Sequence, residues 1–486
     1  MENVEVMTKE QINEFLDGKF DEISGLSDAI WDCAETAFEE EKSAALMIDM
    51  LKKHGFEVEE NLADICTSFC ATYGKVFPTI GILAEYDALF NSSQKAGIAT
   101  REILEEGGNG HGCGHNLYAA GSVGAAIALK EYLQQNNLEG TVKLFGCPGE
   151  EGGSGKAFMA REGVFNSADI ALGWHPAAAN GIMSASSLAN YNVLYKFKGI
   201  ASHAAAAPEL GRSALDAVEL MNVGVNFLRE HIIDSARIHY AITDAGGKSP
   251  NVVQPTGEVS YLIRAPKNPQ VDEIYKRVNK IAEGAALMTE TELTIDFITA
   301  CSNVVNNSTL DKIMYENLKS LPKIEYTQEE MDFARDIDKT NPDTTAVGTL
   351  LGLSPMETIK IDKELEGKNL CDFVLPYNPD GPEVVMAGST DVGDVSWNIP
   401  TSQLVTTCFS KSTPFHTWQA VAQNRSSAAH KGALLAAKAI AGSAIDVINN
   451  PKVIDEAKAE LKTRLNGYEY ISAIPKEVKP RKMSQL

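Results

Sequence analysis

The amino-acid sequence predicts an α/β protein, a sheet covered by helices on both faces, interrupted by a smaller α+β unit. Three observations carry that reading. From about residue 58, short apolar runs alternate with longer helical patterns, as expected of a sheet whose strands are joined by helices. Between about 190 and 305 the pattern changes to period-two alternation with two amphipathic helices. Acidic or metal-capable residues follow nearly every expected strand of the larger unit, where open α/β sheets collect their functional groups.

Residues 8–54 keep apolar positions at helical spacing and stop at Gly55, so they are expected to be helical. Buried strands are expected at 79–84, 141–146, 168–173, 384–387 and 403–409, with helices at 117–133, 156–162 and 425–441. In the middle, 192–198 alternates like a half-exposed strand, 214–230 is an amphipathic helix and 257–264 alternates again. A helix at 271–287 and a strand at 292–299 follow. This β-α-β-β-α-β order makes one sheet with two helices. Residues 191–305 are therefore expected to form a domain inserted into a larger one built from 1–190 and 306–486. The polar, basic tail at 475–486 is expected to be solvated.

At 486 residues the chain has room for two or three domains and can bury a core without disulfide or metal staples. Its 43 basic and 66 acidic residues leave a net charge of −23. Such a field repels nucleic acid, which is excluded as a partner. An anionic substrate then needs local compensation from metal ions or arginines. No run of about 18 apolar residues occurs, so no membrane span or membrane partner is expected; the richest stretch, 432–440, is interrupted by Lys438. The first residues lack the basic start and apolar segment of a signal peptide. Eight scattered cysteines with no C-x-x-C pair read as reduced thiols of a cytoplasmic protein.

Glu85 and Asp87 follow the first expected strand of the larger unit, and Glu150 and Glu151 the second. His175, Asp391 and His416 follow the others. The densest stretch is Gly110-His111-Gly112-Cys113-Gly114-His115-Asn116. Cys113 and His115 are two apart and can address one centre from an extended segment. Thiolate with imidazole suits zinc, and imidazole also accepts manganese. The stretch equally describes a glycine-rich loop with a buried cysteine and a histidine capping the next helix. Adjacent carboxylates such as Glu150 and Glu151 splay apart, so one can bind a metal while the other acts as general base; alone they also describe a solvated acidic turn. His175 and His416, taken singly, also fit a turn histidine and a ring packed between aromatics. The segment at 152–156 resembles a phosphate loop, but Glu150 and Ala157 stand where glycine and Ser or Thr are required.

Together, residues 35–40, 110–116, 148–153 and 413–419 resemble the two-metal aminoacylase/carboxypeptidase superfamily, amidohydrolase branch, over nearly the whole chain. The resemblance implies a zinc-peptidase-like catalytic domain, its mixed sheet flanked by helices, with an inserted ferredoxin-like lid/dimerisation domain. It implies a divalent metal cofactor, two ions of zinc or manganese per chain, with Cys113, His115, Glu151, His175 and His416 as ligands. Glu150 matches the general base, and Asp87 the aspartate that orients a ligand from behind. In the lid, His203 matches the histidine that in dimers reaches the partner's site. Asn251 and Arg264 match the pair that holds the substrate carboxylate, a task suited to a bidentate arginine. Two departures stand out. Glu85-Tyr86-Asp87 occupies the place of the usual H-x-D, and Asn116 and Tyr118 fill the last polar positions of C-G-H-D-x-H.

The implied activity is hydrolysis of a linear amide in an N-acyl amino acid, foremost p-aminobenzoyl-glutamate. A dipeptidase acting on β-alanyl-lysine-type dipeptides and a non-catalytic partner of a related hydrolase are the alternatives. The expected partners are that small-molecule substrate and either a second copy of the chain or a homologous subunit.

Overall fold

A computed structural model describes residues 6–341, 351, 353, 355–377, 384–482 and 484. Its strands are β1 (Glu57–Glu60), β2 (Phe69–Tyr73), β3 (Thr79–Ala84), β4 (Thr141–Gly146), β5 (Ile170–Ala177) and β6 (Gly181–Ile182). They continue with β7 (Ala189–Lys198), β8 (Arg237–Asp244), β9 (Thr256–Ala265), β10 (Glu292–Cys301) and β11 (Thr401–Thr407). Seven form one mixed sheet in the order β1-β2-β4-β3-β5-β11-β6. β4, β3, β5 and β11 run parallel at its centre, and β1, β2 and β6 add antiparallel edges. The central strands are almost wholly buried; β3 accordingly reads as an apolar run, whereas β11 is buried although five of its seven residues are Thr, Ser or Gln.

Two long helices, His115–Gln135 and Ser427–Asn449, pack on each other and on this sheet. Small residues let them approach: a side chain at Gly121 would meet the Trp174 ring at 2.7 Å. By length and composition, Ser427–Asn449 is apolar enough to cross a membrane, contrary to the expectation drawn from Lys438. It is instead a core helix, with 83% of its most apolar window buried.

The expected helical stretch at 8–54 is three helices, Lys9–Asp17, Phe20–Cys33 and Glu41–Lys53. Ala34 (φ 44) and Phe38 (φ 64) adopt left-handed backbone between the last two, which a right-handed helix cannot pass through. The strand expected at 168–173 runs on to Ala177, so His175 lies within β5.

Residues 384–387 are not a strand of the sheet. Val385 makes only an isolated bridge with Ser186 and is 40% exposed. A short apolar run pairs into a sheet only where a neighbour offers a ladder, and here it lies beside the segment leading into β7.

The remaining strands form a four-stranded antiparallel sheet in the order β10-β7-β9-β8. Helices Ala214–Leu228 and Asn268–Thr289 pack against it and each other. The chain order β7-helix-β8-β9-helix-β10 with this sheet order is the ferredoxin-like arrangement expected. Alternate residues of β7 and β9 are buried under the helices.

The described part of the basic tail is exposed or half-buried, as expected, but it is also tied to the body. The Arg161 guanidinium donates to the carbonyls of Pro475 and Val478, both at 2.9 Å. Arg481 pairs with Asp296 of β10, and Ser484 donates to Glu39 at 2.7 Å. Polar composition measures affinity for water, and the Arg481 and Ser484 side chains found carboxylates that also satisfy them. Residues 483, 485 and 486 of that tail lie outside the described residues.

Candidate metal centre

The parallel strands deliver the centre. β3 ends at Ala84, in register with Gly146 of β4, so Glu85 and Asp87 emerge beside the turn that carries Glu150 and Glu151. β5 brings His175, opposite Val405 of β11. Gly114 takes a left-handed conformation (φ 82) that turns the Cys113 loop into the helix starting at His115. The Gly112 carbonyl accepts the His416 N–H at 2.9 Å, and a side chain at Gly112 would crowd the His416 backbone at 3.3 Å. That close approach brings His416 in from the loop after β11.

Cys113, His115, Glu151, His175 and His416 therefore converge, as do Glu85, His115 and Glu150. Cys113 Sγ lies 3.5 Å from His175 Nε2, Glu151 Oε1 3.1 Å from His416 Nε2, and Glu85 Oε2 3.2 Å from His115 Nε2. Two ligands on one tetrahedral ion, each about 2.1 Å from it, would stand about 3.4 Å apart. The other ring nitrogens are engaged. His175 Nδ1 donates to the Pro176 carbonyl at 2.7 Å, and His115 Nδ1 donates to Asp87 Oδ1 at 2.9 Å. Both Nε2 atoms are thereby turned to the centre. His115 Nε2 is buried without a hydrogen-bond partner. A buried polar atom without a partner is costly, and a divalent cation would satisfy it, so the donor set fits one.

The electrostatics agree with that fit. Burial, with the nearby charges of Glu85 and Glu151, pushes the Glu150 carboxyl well above the usual range, as a proton-shuttling base requires. Burial alone would also raise Glu151, but the His416 hydrogen bond and the His115 charge bring it to about 2. Burial and then the charge of His115 lower His175 to about 4, so its ring is neutral at ordinary pH. Burial, with the charge of Glu151, raises the Cys113 thiol.

Three sequence-chosen residues are not part of this cluster. His203 is exposed, and its Nδ1 accepts from the backbone N–H groups of Ala205 and Ala206. Asn251 is exposed beside it, its carbonyl taking the Ala204 N–H at 3.0 Å. Arg264 is half-buried on β9, donating to Ser389 at 3.1 Å and leaving its Nε–H without an acceptor. Two supporting residues escaped the sequence. Glu40, fully buried, accepts the Gly149 N–H at 2.9 Å and so holds the turn before Glu150. Lys156, fully buried, pairs with Glu85 and Asp391. Glu40 lies in the segment 35–40 that carries the resemblance and Lys156 in the phosphate-loop-like segment, but neither position signals burial, since a lone Glu or Lys is ordinarily a surface residue.

Residues 81–331 match the family described as Peptidase family M20/M25/M40. A p-aminobenzoyl-glutamate hydrolase subunit of Escherichia coli (strain K12) is 47% identical over 458 residues, which cover 94% of this chain and 95% of that one. The Xaa-Arg dipeptidase of Mus musculus is 28% identical, with 94% and 93% covered. Among solved structures, the Bacillus subtilis YXEP protein, a dinuclear metal binding peptidase of the M20 family, aligns with a TM-score of 0.53 at 17% identity. The alignment covers 89% of this chain and 99% of that one, a likeness of fold. The family match over half the chain and the high identity over nearly all of it agree with the cluster at the strand ends: the chain belongs to peptidase family M20/M25/M40 and is a hydrolase of amide bonds.

Proposed function

We propose that this chain hydrolyses p-aminobenzoyl-glutamate to p-aminobenzoate and glutamate, using two divalent ions, zinc or manganese, held by Cys113, His115, Glu151, His175 and His416. The observation that carries the proposal is the convergence of these five side chains, with Glu150, at the ends of the parallel strands. The name of the 47%-identical relative supports the substrate. When bound, the ions polarise the amide carbonyl and make water a nucleophile at neutral pH.

Glu150 takes the proton of the attacking water and delivers it to the departing amine nitrogen. Asp87 keeps the His115 proton on Nδ1, so Nε2 remains a lone-pair donor. The inserted unit, residues 191–305, serves as a lid and dimerisation domain. Its exposed His203 reaches the site of a second protomer, and the unsatisfied Nε–H of Arg264, with Asn251, holds the glutamate carboxylate. That protomer is another copy of this chain or a homologue; the 47%-identical relative is itself one component of a hydrolase with more than one kind of chain, which supports a homologous partner. All eight cysteines are free, which supports a cytoplasmic setting.

The test is release of p-aminobenzoate by the purified chain with added Mn²⁺ or Zn²⁺. Release that a chelator stops is expected. Silence with metal bound overturns the substrate; a dipeptide panel then tests the dipeptidase reading favoured by the Xaa-Arg relative.

A further inference from the structure

Lys156 is unusual in having no exposed surface at all. Its ammonium lies 2.7 Å from Glu85 Oε1 and 2.6 Å from Asp391 Oδ1, and its backbone N–H donates to Asp391 Oδ2 at 2.8 Å. A buried ammonium persists only when paired this fully. Asp391 and Glu85 hold it charged against the effect of burial. The triad joins three separate parts of the chain: the end of β3, the helix Gly155–Arg161 and the start of the helix Val392–Ser396.

The triad uses only one oxygen of Glu85. The other, Oε2, points at His115 Nε2 from 3.2 Å, yet that nitrogen has no hydrogen-bond partner, the ring being engaged through Nδ1 by Asp87. The two atoms stand at a ligand-to-ligand distance, and the Glu150 carboxylate closes the same group. An ion between them would satisfy both.

We propose that Glu85 is a further ligand of the centre, addressed to the ion held by His115, and that Lys156 with Asp391 positions it by gripping its other oxygen. The inference rests on the metal-hydrolase reading above.

The test is uptake of Zn²⁺ alone by metal-stripped protein, followed by competition with a chelator, alongside thermal unfolding of the metal-free chain. Glu85→Asp keeps the charge that Lys156 needs but shortens the arm. It is expected to unfold near the wild-type temperature and to bind one ion about 10–100-fold more weakly. Glu85→Gln should lose at least as much. The double variant Lys156→Met with Asp391→Asn keeps the triad's net charge while freeing Glu85, and is expected to weaken the same ion. Wild-type affinity in both Glu85 variants overturns the ligand role. Wild-type affinity in the double variant overturns the positioning role. A wild-type chain that takes up no ion overturns the metal-hydrolase reading as well.

Discussion

His115 and Asp87 are joined by a 2.9 Å hydrogen bond, Nδ1 to Oδ1, with neither side chain exposed to solvent. The other oxygen of Asp87 accepts the Glu151 N–H at 2.8 Å. One carboxylate thus sets the ring orientation of one proposed ligand and the backbone of another. Asp87→Asn is expected to lower ion affinity about 10–100-fold, read by chelator competition. Unchanged affinity would show that the bond does not tune the centre.

Glu150 lies with Glu85 and His115 at the centre, and its raised pKa suits proton transfer. Glu150→Gln is expected to cut turnover by about 10²–10⁴ or more while metal content stays near wild type. Loss of the metal would instead make Glu150 a ligand.

His203 lies on an exposed loop, apart from the cluster of its own chain. His203→Ala is expected to lower the rate with no change in metal content. Mixing it with Glu150→Gln protein should restore part of the rate, because a mixed dimer would contain one complete site. No recovery after exchange of protomers would remove His203 from action across an interface.

Asp311 is buried beneath β11, where its Oδ1 accepts from the Ser402 hydroxyl at 2.5 Å. Burial pushes its carboxyl up to about 7, so the folded chain keeps a proton that the unfolded chain sheds near pH 4. Its contribution to stability is fully present below that unfolded value and is lost as pH rises through about 7. Between pH 5 and pH 8 the wild type should lose on the order of 2 kcal/mol more stability than Asp311→Asn. Chemical denaturation of both proteins at the two pH values measures this. Equal losses would show that Asp311 titrates normally in the fold.

The strand ends of β3 and β4 were legible for a physical reason: a parallel strand buried on both faces tends to a continuous apolar run, and the acidic residues right after it stand out. Glu85, Asp87, Glu150 and Glu151 were found that way. His175 was singled out although β5 runs past it to Ala177. The strand expected at 384–387 failed because an apolar run does not reveal whether a partner strand lies alongside. The ties of the tail to the body escaped the sequence because charge does not reveal its counter-charge, here Asp296 for Arg481.

By itself the sequence determined the two sheets, the candidate ligand residues and the adjacent carboxylates, because period, apolar runs and residue chemistry are local properties. Only the tertiary structure decided which oxygen of Asp87 faces His115, and that the loop carrying His416 meets Gly112. It also decided that Lys156 is buried between Glu85 and Asp391, 235 positions from the latter in sequence. Those are contacts between distant segments, and they are set by how the layers pack rather than by any run of neighbouring residues.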